Sequence, residues 1–325
     1  MKRISFSQAT LEAMQEEMRR DENVFIMGED IAKQGGVFGQ FKGLAQEFGF
    51  ERVRDTPISE TAIVGAGVGA ALAGTVPVVD MHFEDFVGVA MDEVMNQMAK
   101  IRYMFGGQGK MPFVLRSPNG ATQSAAAQHS QSLEGLFLHI PGLKVVSPSN
   151  PADAKGLLKA AIRDQNPVIY CEHKALYAVK GSVPEEDYIT PIGKANVVRE
   201  GEDVTIVSYS MMFNKCIEAA DILAEKHGIN AELIDLRTIV PLDLETIFNS
   251  VKKTHRLVVA HEAVKVGGVG SEIVAAVSEN IIEYLDGPIM RVGAAYTPMP
   301  FSPPLQANVL PSVDSIVNAA LATKW

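Results

Sequence analysis

Two rhythms alternate along the chain. Short apolar runs closed by turn residues are separated by longer stretches in which apolar side chains recur at helical spacing. Residues 7–20 put Ala9, Ala13 and Met14 on one helical face, and the strand "VFIM" and the turn "GED" follow. After the glycine-rich loop "IAKQGGVFGQFKG", the run Val76–Val79 in "VPVVDMHF" is apolar throughout, as a strand covered on both faces would be. A helix over residues 85–104 carrying Met91, Met95 and Met98, the strand "PFVLRS", the polar loop "PNGATQSAAAQHSQS", the strand "LKVVSP", a helix over 151–163 and the strand "PVIYCE" complete a first α/β unit. The prolines and charges of "KGSVPEEDYITPIGK", residues 180–194, read as a linker. Beyond it the alternation resumes: "DVTIVSYS", a helix over 214–227, "NAELIDL", a helix after Pro241, "RLVVAHEA", and a helix entered through "GGVGSEIVAAVSENII". Strands alternating with helices predict parallel sheets with crossover connections. The expected architecture is a two-domain α/β protein, with domains at 1–187 and 188–325.

One stretch departs from this rhythm. In "DTPISETAIVGAGVGAALAGTVPVVD" a single carboxylate, Glu60, stands before residues 61–79, which carry no charge. The stretch is long enough to span a membrane, but glycine and alanine dominate it and Pro77 interrupts its end, so a buried core element is the better reading. Gly65, Gly67 and Ala70 fit a dinucleotide fingerprint. However, Pro57 occupies the approach where a strand should lead in, and Asp80 follows Ala70 too closely to serve as the ribose-binding acid. What remains is a small-residue helix over 61–73, ended by Gly74, whose glycines allow close approach to another backbone. Glu60 then sits at a helix N-terminus, favoured by the dipole, with Ser59 as the cap.

Composition narrows the function. The 325 residues are 47% hydrophobic, enough for two cores, and the net charge of −10 argues against phosphate-backbone binding. The two cysteines, Cys171 and Cys216, are far apart and suggest neither zinc nor a disulfide framework. The opening residues lack the apolar core of a signal peptide, so a soluble, cytoplasmic protein is expected.

Several segments together carry more than composition does. "RVRDTPISE", "RYMFGG", "AAQHSQS", "PGLKVVSPSNPADAKGLLKAAIRD", "DLRTIVPLD" and "TPMPFSP" resemble, in order and over nearly the whole chain, the beta subunit of the decarboxylating component of 2-oxo acid dehydrogenase complexes. These are thiamin diphosphate enzymes of the pyruvate, branched-chain and acetoin dehydrogenase type. The resemblance implies a pyrimidine-binding domain followed by a transketolase-type C-terminal domain. It also implies that Glu60 is the glutamate that hydrogen-bonds a ring nitrogen of the cofactor's aminopyrimidine. An acid is needed there: a proton held between carboxylate and ring favours the tautomer whose exocyclic nitrogen can deprotonate the thiazolium carbon. Phe86 in "MHFEDFVG" corresponds to the aromatic that stacks on that ring, although by itself it reads as an ordinary core phenylalanine. His129 in "AAQHSQS" corresponds to a catalytic histidine, in a polar loop where a group titrating near neutrality could serve a substrate oxygen or a lipoyl group. His82 receives no role, and His261 and Glu262 read as a weaker contribution from the second domain.

In the pyruvate-type enzymes "AAIRDQNP" resembles a potassium site. The oxygens implied are those of Ala161, Ile162, Asp164 and Asn166, with the Phe113 carbonyl. The Gly-Asp-Gly stretch with which thiamin enzymes hold magnesium and the diphosphate does not occur. An alpha subunit is therefore expected to bring that half, in an alpha2beta2 heterotetramer docked on a dihydrolipoyl acyltransferase core; this chain would hold no magnesium and be active only with its partner. Neither nucleic acid nor membrane is an expected partner. "SPNGA" and "QGGVFG" favour pyruvate as substrate. "RYMFGG", "AAQHSQSL" and "TPMPFSP" make acetoin the alternative, with a branched-chain acid or a dinucleotide oxidoreductase behind.

Overall fold

A computed structural model describes residues 1–122 and 124–324. Two compact units emerge: residues 1–119 with 136–192, and residues 120–135 with 193–325. The expected division at 187/188 left residues 120–135 in the first domain; here they group with the second unit.

The first unit contains β1 (Lys2–Ser5), α1 (Phe6–Arg20), β2 (Val24–Gly28), α2 (Leu44–Phe48), β3 (Val53–Asp55), α3 (Glu60–Leu72), β4 (Val76–Asp80), α4 (Ala99–Met104) and β5 (Val114–Asn119). After α5 (Glu134–Leu138) come β6 (Lys144–Val146), α6 (Pro151–Arg163), β7 (Val168–His173) and β8 (Lys180–Val183). Its sheet runs β6-β7-β5-β4-β2-β3, every neighbouring pair parallel. The caps that start the two long helices are local. Ser5 accepts the Gln8 N–H before α1, and Asn150 accepts the Asp153 N–H before α6, with Pro151 at the first helical position. Met14 and Met18 of α1 and Leu157, Leu158 and Ile162 of α6 then join one core with Val24, Ile26 and Val114 of the sheet.

Three expectations change here. Residues 180–183, within the expected linker, form β8 and pair antiparallel with β1 in the register Lys2↔Val183. The single helix over 85–104 is instead a 3-10 turn over Glu84–Ala90, a π-helical turn over Glu93–Met98, and α4. The Thr61 hydroxyl donates to the Val89 carbonyl at 2.9 Å, tying this segment to α3. Finally, Gly67 of α3 gives close approach to side chains rather than to a second backbone: a Cβ there would lie 2.5 Å from Phe113 Cε2 and 2.8 Å from Val79 Cγ2.

The second unit contains β9 (Asn196–Arg199), β10 (Val204–Ser208), α7 (Ser210–His227), β11 (Ala231–Asp235), β12 (Thr238–Val240), α8 (Leu244–Thr254), β13 (Leu257–Val264), α9 (Val269–Ile281), β14 (Met290–Ala294), α10 (Pro303–Val309) and α11 (Val313–Leu321). Its sheet runs β14-β13-β10-β11-β9, parallel except for β9 at the edge. Ile206, Leu233 and Val258 of the sheet pack with Phe213, Ala220 and Leu223 of α7 and Ile316 of α11.

Candidate functional site

Parallel strands present their C-terminal ends as a common rim, where α/β proteins place their ligands. In the first unit Glu29 follows β2 and His82 lies two residues past β4, while Glu60 opens α3. Ser59 occupies the cap position of α3, but its side chain makes no capping bond; its carbonyl accepts the Ile63 N–H. Glu60 is half-buried in a first turn whose dipole favours a carboxylate. Glu29 lies close enough to feel it. Burial raises the Glu29 carboxyl above the ordinary range, and the charges of Glu60 and Asp30 raise it further. His82 Nδ1 stands 3.9 Å from Glu29 Oε2. The imidazole is presented from a left-handed backbone, φ 65°, and the His82 N–H donates to Asp80 Oδ2 at 3.2 Å. Phe86 is half-buried, with Phe83 edge-on at 5.9 Å and 80°. The 3-10 turn that carries Phe86 packs on α3.

Beneath this rim lies a buried charge network. Arg116 of β5 makes a two-pronged pair with Glu172 of β7, at 2.6 and 2.8 Å, and stacks over Phe41 at 4.5 Å. Burial alone would lower the Arg116 pKa, but the charge and hydrogen bonds of Glu172 outweigh it and raise it. Asp80 is pushed up to about 7, chiefly by burial and further by Glu172, with Arg116 opposing. Sequence reading missed Glu29 and this network. The "GED" turn at a strand end was the available signal for Glu29; nothing local in "FVLRS" or "IYCEH" shows that Arg116 and Glu172 face each other.

His129 belongs to the second unit and is half-buried on the segment 120–135. The Ala121 N–H donates to Glu262 Oε1 at 2.7 Å, and the Gly120 N–H to the Gln131 carbonyl at 2.9 Å. Beside it opens a cavity of about 430 Å³, lined by Ser130, Leu133, Glu262, Tyr296 and Met299 among others. His261 is a core residue. It is fully buried, its Nδ1 lies 3.0 Å from the Ala263 carbonyl, and burial drops its pKa to about 4. A Cβ on Gly268 would come within 2.7 Å of its ring, so the neighbouring glycine is what makes room for it.

The residues expected to hold potassium gather at the C-terminus of α6, but most of their oxygens are already engaged. The Phe113 carbonyl accepts the Val168 N–H, and the Ala161 carbonyl accepts the Asp164 N–H. Lys144 pairs with the Asp164 carboxylate, and with Asn166 it holds that group below the carboxylate range despite burial. Arg102 donates to Asn166 Oδ1 at 2.6 Å and to the Gln165 carbonyl at 2.8 Å. Lys144 and Arg102 thus engage side-chain oxygens of this group. Among the described residues no group of three or more His, Cys, Asp or Glu side chains is placed to hold a metal, and no helix is long and apolar enough to cross a membrane.

Comparison with known proteins gives this arrangement its class. Residues 2–180 match the transketolase pyrimidine-binding domain and residues 193–316 the transketolase C-terminal domain. A solved split-gene transketolase, described as an inactive beta4 tetramer, shares the fold with a TM-score of 0.81 at 23% identity, covering 98% of each chain. The acetoin:2,6-dichlorophenolindophenol oxidoreductase subunit beta of Bacillus subtilis is 49% identical, over 98% of this chain and 96% of that protein. The mitochondrial pyruvate dehydrogenase E1 component subunit beta of Dictyostelium discoideum is 46% identical, over 98% and 90%. The 2-oxoisovalerate dehydrogenase subunit beta of B. subtilis is 44% identical, over 96% of each. The chain belongs to this transketolase-type family of E1 beta subunits of 2-oxo acid dehydrogenase complexes and their acetoin-oxidising relatives. Membership implies a thiamin diphosphate-dependent oxidoreductase that works with an alpha subunit.

Proposed function

We propose that this chain forms, with an alpha subunit, an enzyme that cleaves a carbon–carbon bond beside a carbonyl and passes a two-carbon unit to the lipoyl group of a dihydrolipoyl acyltransferase. Pyruvate is the substrate of the first reading. Acetoin is the second, favoured by the 49% identity to an acetoin oxidoreductase subunit. The observation that carries the proposal is the half-buried Glu60 carboxylate beside Glu29, whose own pKa burial and then the Glu60 charge raise.

Thiamin diphosphate, when bound, supplies the carbanion chemistry. The residues of this chain suit that group. Glu60 offers a carboxylate to a ring nitrogen, and Phe86, half-buried and edge-on to Phe83, offers a face for a flat ring. His129 is the candidate proton donor to the substrate oxygen or lipoyl sulfur. No magnesium ligands are assigned to this chain; the alpha subunit would bring them with the diphosphate site. Exposed Ile58 (82%), Val89 (60%) and Met104 (71%) lie on the first unit, as expected of a surface that a partner covers. A cytoplasmic location accompanies this reading. No step is assigned to potassium.

The test is the chain reconstituted with its alpha subunit and assayed on pyruvate, acetoin and branched-chain 2-oxo acids with an artificial electron acceptor. Glu60→Gln should leave assembly intact by size-exclusion and lower turnover by about a hundredfold or more, as for loss of a positioned acid–base group. Wild-type turnover in that variant would remove Glu60 from the chemistry.

A further inference from the structure

We infer that Gln306, assisted by Glu262, is a positioning residue that holds the His129 segment in its working conformation. The inference rests on the proposed role of His129. Gln306 sits on α10, far along the chain from that segment, and is 7% exposed. Both ends of its amide are spent on loop backbone: Oε1 accepts the Ser124 N–H at 3.3 Å, and Nε2 donates to the Thr122 carbonyl at 3.1 Å. Glu262, on β13, accepts the Ala121 N–H at 2.7 Å. Three attachments, at Ala121, Thr122 and Ser124, thus precede His129, all from side chains of the C-terminal unit.

The loop needs them. Ser124 and Ala126 both have φ of 58°, a left-handed conformation that non-glycine residues avoid. Such backbone persists only where the surroundings over-determine it. The loop's own bonds are the Gly120 N–H to the Gln131 carbonyl, across its ends, and a longer one at 3.3 Å from the Ala125 N–H to the Thr122 carbonyl, which closes the turn around Ser124 that Gln306 also engages. Gln306 grips the strained turn at Ser124 itself, two residues before Ala126 and five before His129. A reacting group displaced by about 1 Å loses on the order of a hundredfold in rate, so release of one anchor of several should cost on the order of tenfold.

The experiment uses the enzyme reconstituted with its alpha subunit and four forms of the chain: wild type, Gln306→Ala, His129→Ala and the double variant. Hydrogen exchange across residues 118–130 reads the clamp without any turnover. Reductive acylation of lipoyl substrate, with its pH profile, reads the positioning. The expected result is faster exchange over 121–126 in Gln306→Ala with little change elsewhere, acylation slowed on the order of tenfold with a displaced acid limb, and no further slowing by Gln306→Ala in the His129→Ala background. Unchanged exchange overturns the clamp. Exchange that rises while acylation stays at the wild-type rate, with His129→Ala slow, overturns the positioning role alone. A wild-type rate in His129→Ala overturns the histidine's role and the inference with it. If Gln306→Ala does not assemble, Gln306→Met, which fills the same volume without pairing, carries the same readings.

Discussion

The two units bury polarity with a different emphasis. Under the rim of the first lie full charges: Arg116 and Glu172 are both 0% exposed, with Asp80 beside them. Between α1 and α6, Lys155 and Lys159 bury their stems while their ammonium groups reach Glu16. The second unit also buries carboxylates, Glu232 and Asp235 of β11, but it adds neutral pairs around its sheet. Thr205 Oγ1 shares hydrogen bonds of 2.6 Å with Ser250 and Thr254 between β10 and α8, and His261 stays uncharged against a carbonyl. A buried charge is tolerable only while its counter-charge is in place, whereas a buried hydroxyl needs just one partner. The first unit should therefore fail abruptly when Arg116 is removed, and the neutral His261 of the second should respond to protonation.

The largest effect expected from breaking this contrast is at Arg116. Arg116→Met leaves Glu172 and Asp80 buried without a cation and should cost about 3–5 kcal/mol. Adding Glu172→Met should return most of the loss. Chemical denaturation followed by hydrogen exchange should confine the damage to residues 1–119 and 136–192, and an equal loss in the second unit would erase the contrast.

The next effect concerns pH. The folded-state pKa of His261 is about 4 against an ordinary 6.5, so below 6.5 the unfolded chain binds the proton that the folded chain refuses. Stability of the second unit is full above 6.5 and should fall by up to about 3 kcal/mol as pH drops through 4. Melting curves of His261→Phe against wild type between pH 7 and 4 check this; parallel curves would mean that His261 protonates freely in the fold.

Asp80 has the opposite sign and sharpens the comparison. Its folded pKa of about 7 exceeds the ordinary 3.8, so its contribution is full below 3.8 and is lost as pH rises through 7. Asp80→Asn, which keeps an acceptor for the His82 N–H, should stabilise the first unit by on the order of 2 kcal/mol at pH 8 and do little at pH 4. A variant less stable at both pH values would show that Arg116 needs both carboxylates. The smallest effect is at Ala126, where a glycine suits φ of 58°: Ala126→Gly should raise stability by about 1 kcal/mol or less in a melting experiment.

Much of this molecule can be read without coordinates, because the signals are local. Apolar runs such as Val76–Val79 and Val204–Val207 can satisfy both faces only inside a sheet, and Asn150-Pro151 starts a helix through bonds to its own neighbours. Glu60 stood out because a lone carboxylate before a chargeless helix is conspicuous, and the family segments lie in order along the chain. What tertiary structure decided depends on contacts between distant residues. Lys180–Val183 reads as linker until β1 supplies a pairing partner. The 85–104 segment reads as one helix, whereas in the fold it is broken into turns and tied to α3 by the Thr61 hydroxyl on the Val89 carbonyl. Nothing in residues 120–135 shows that Glu262 and Gln306, more than a hundred residues downstream, take up their backbone groups. Periodicity and capping act over one helical turn or one strand, so they are written in neighbouring residues; the pairing of a buried charge or a loop's backbone depends on which side chain the fold delivers, and no local pattern records that.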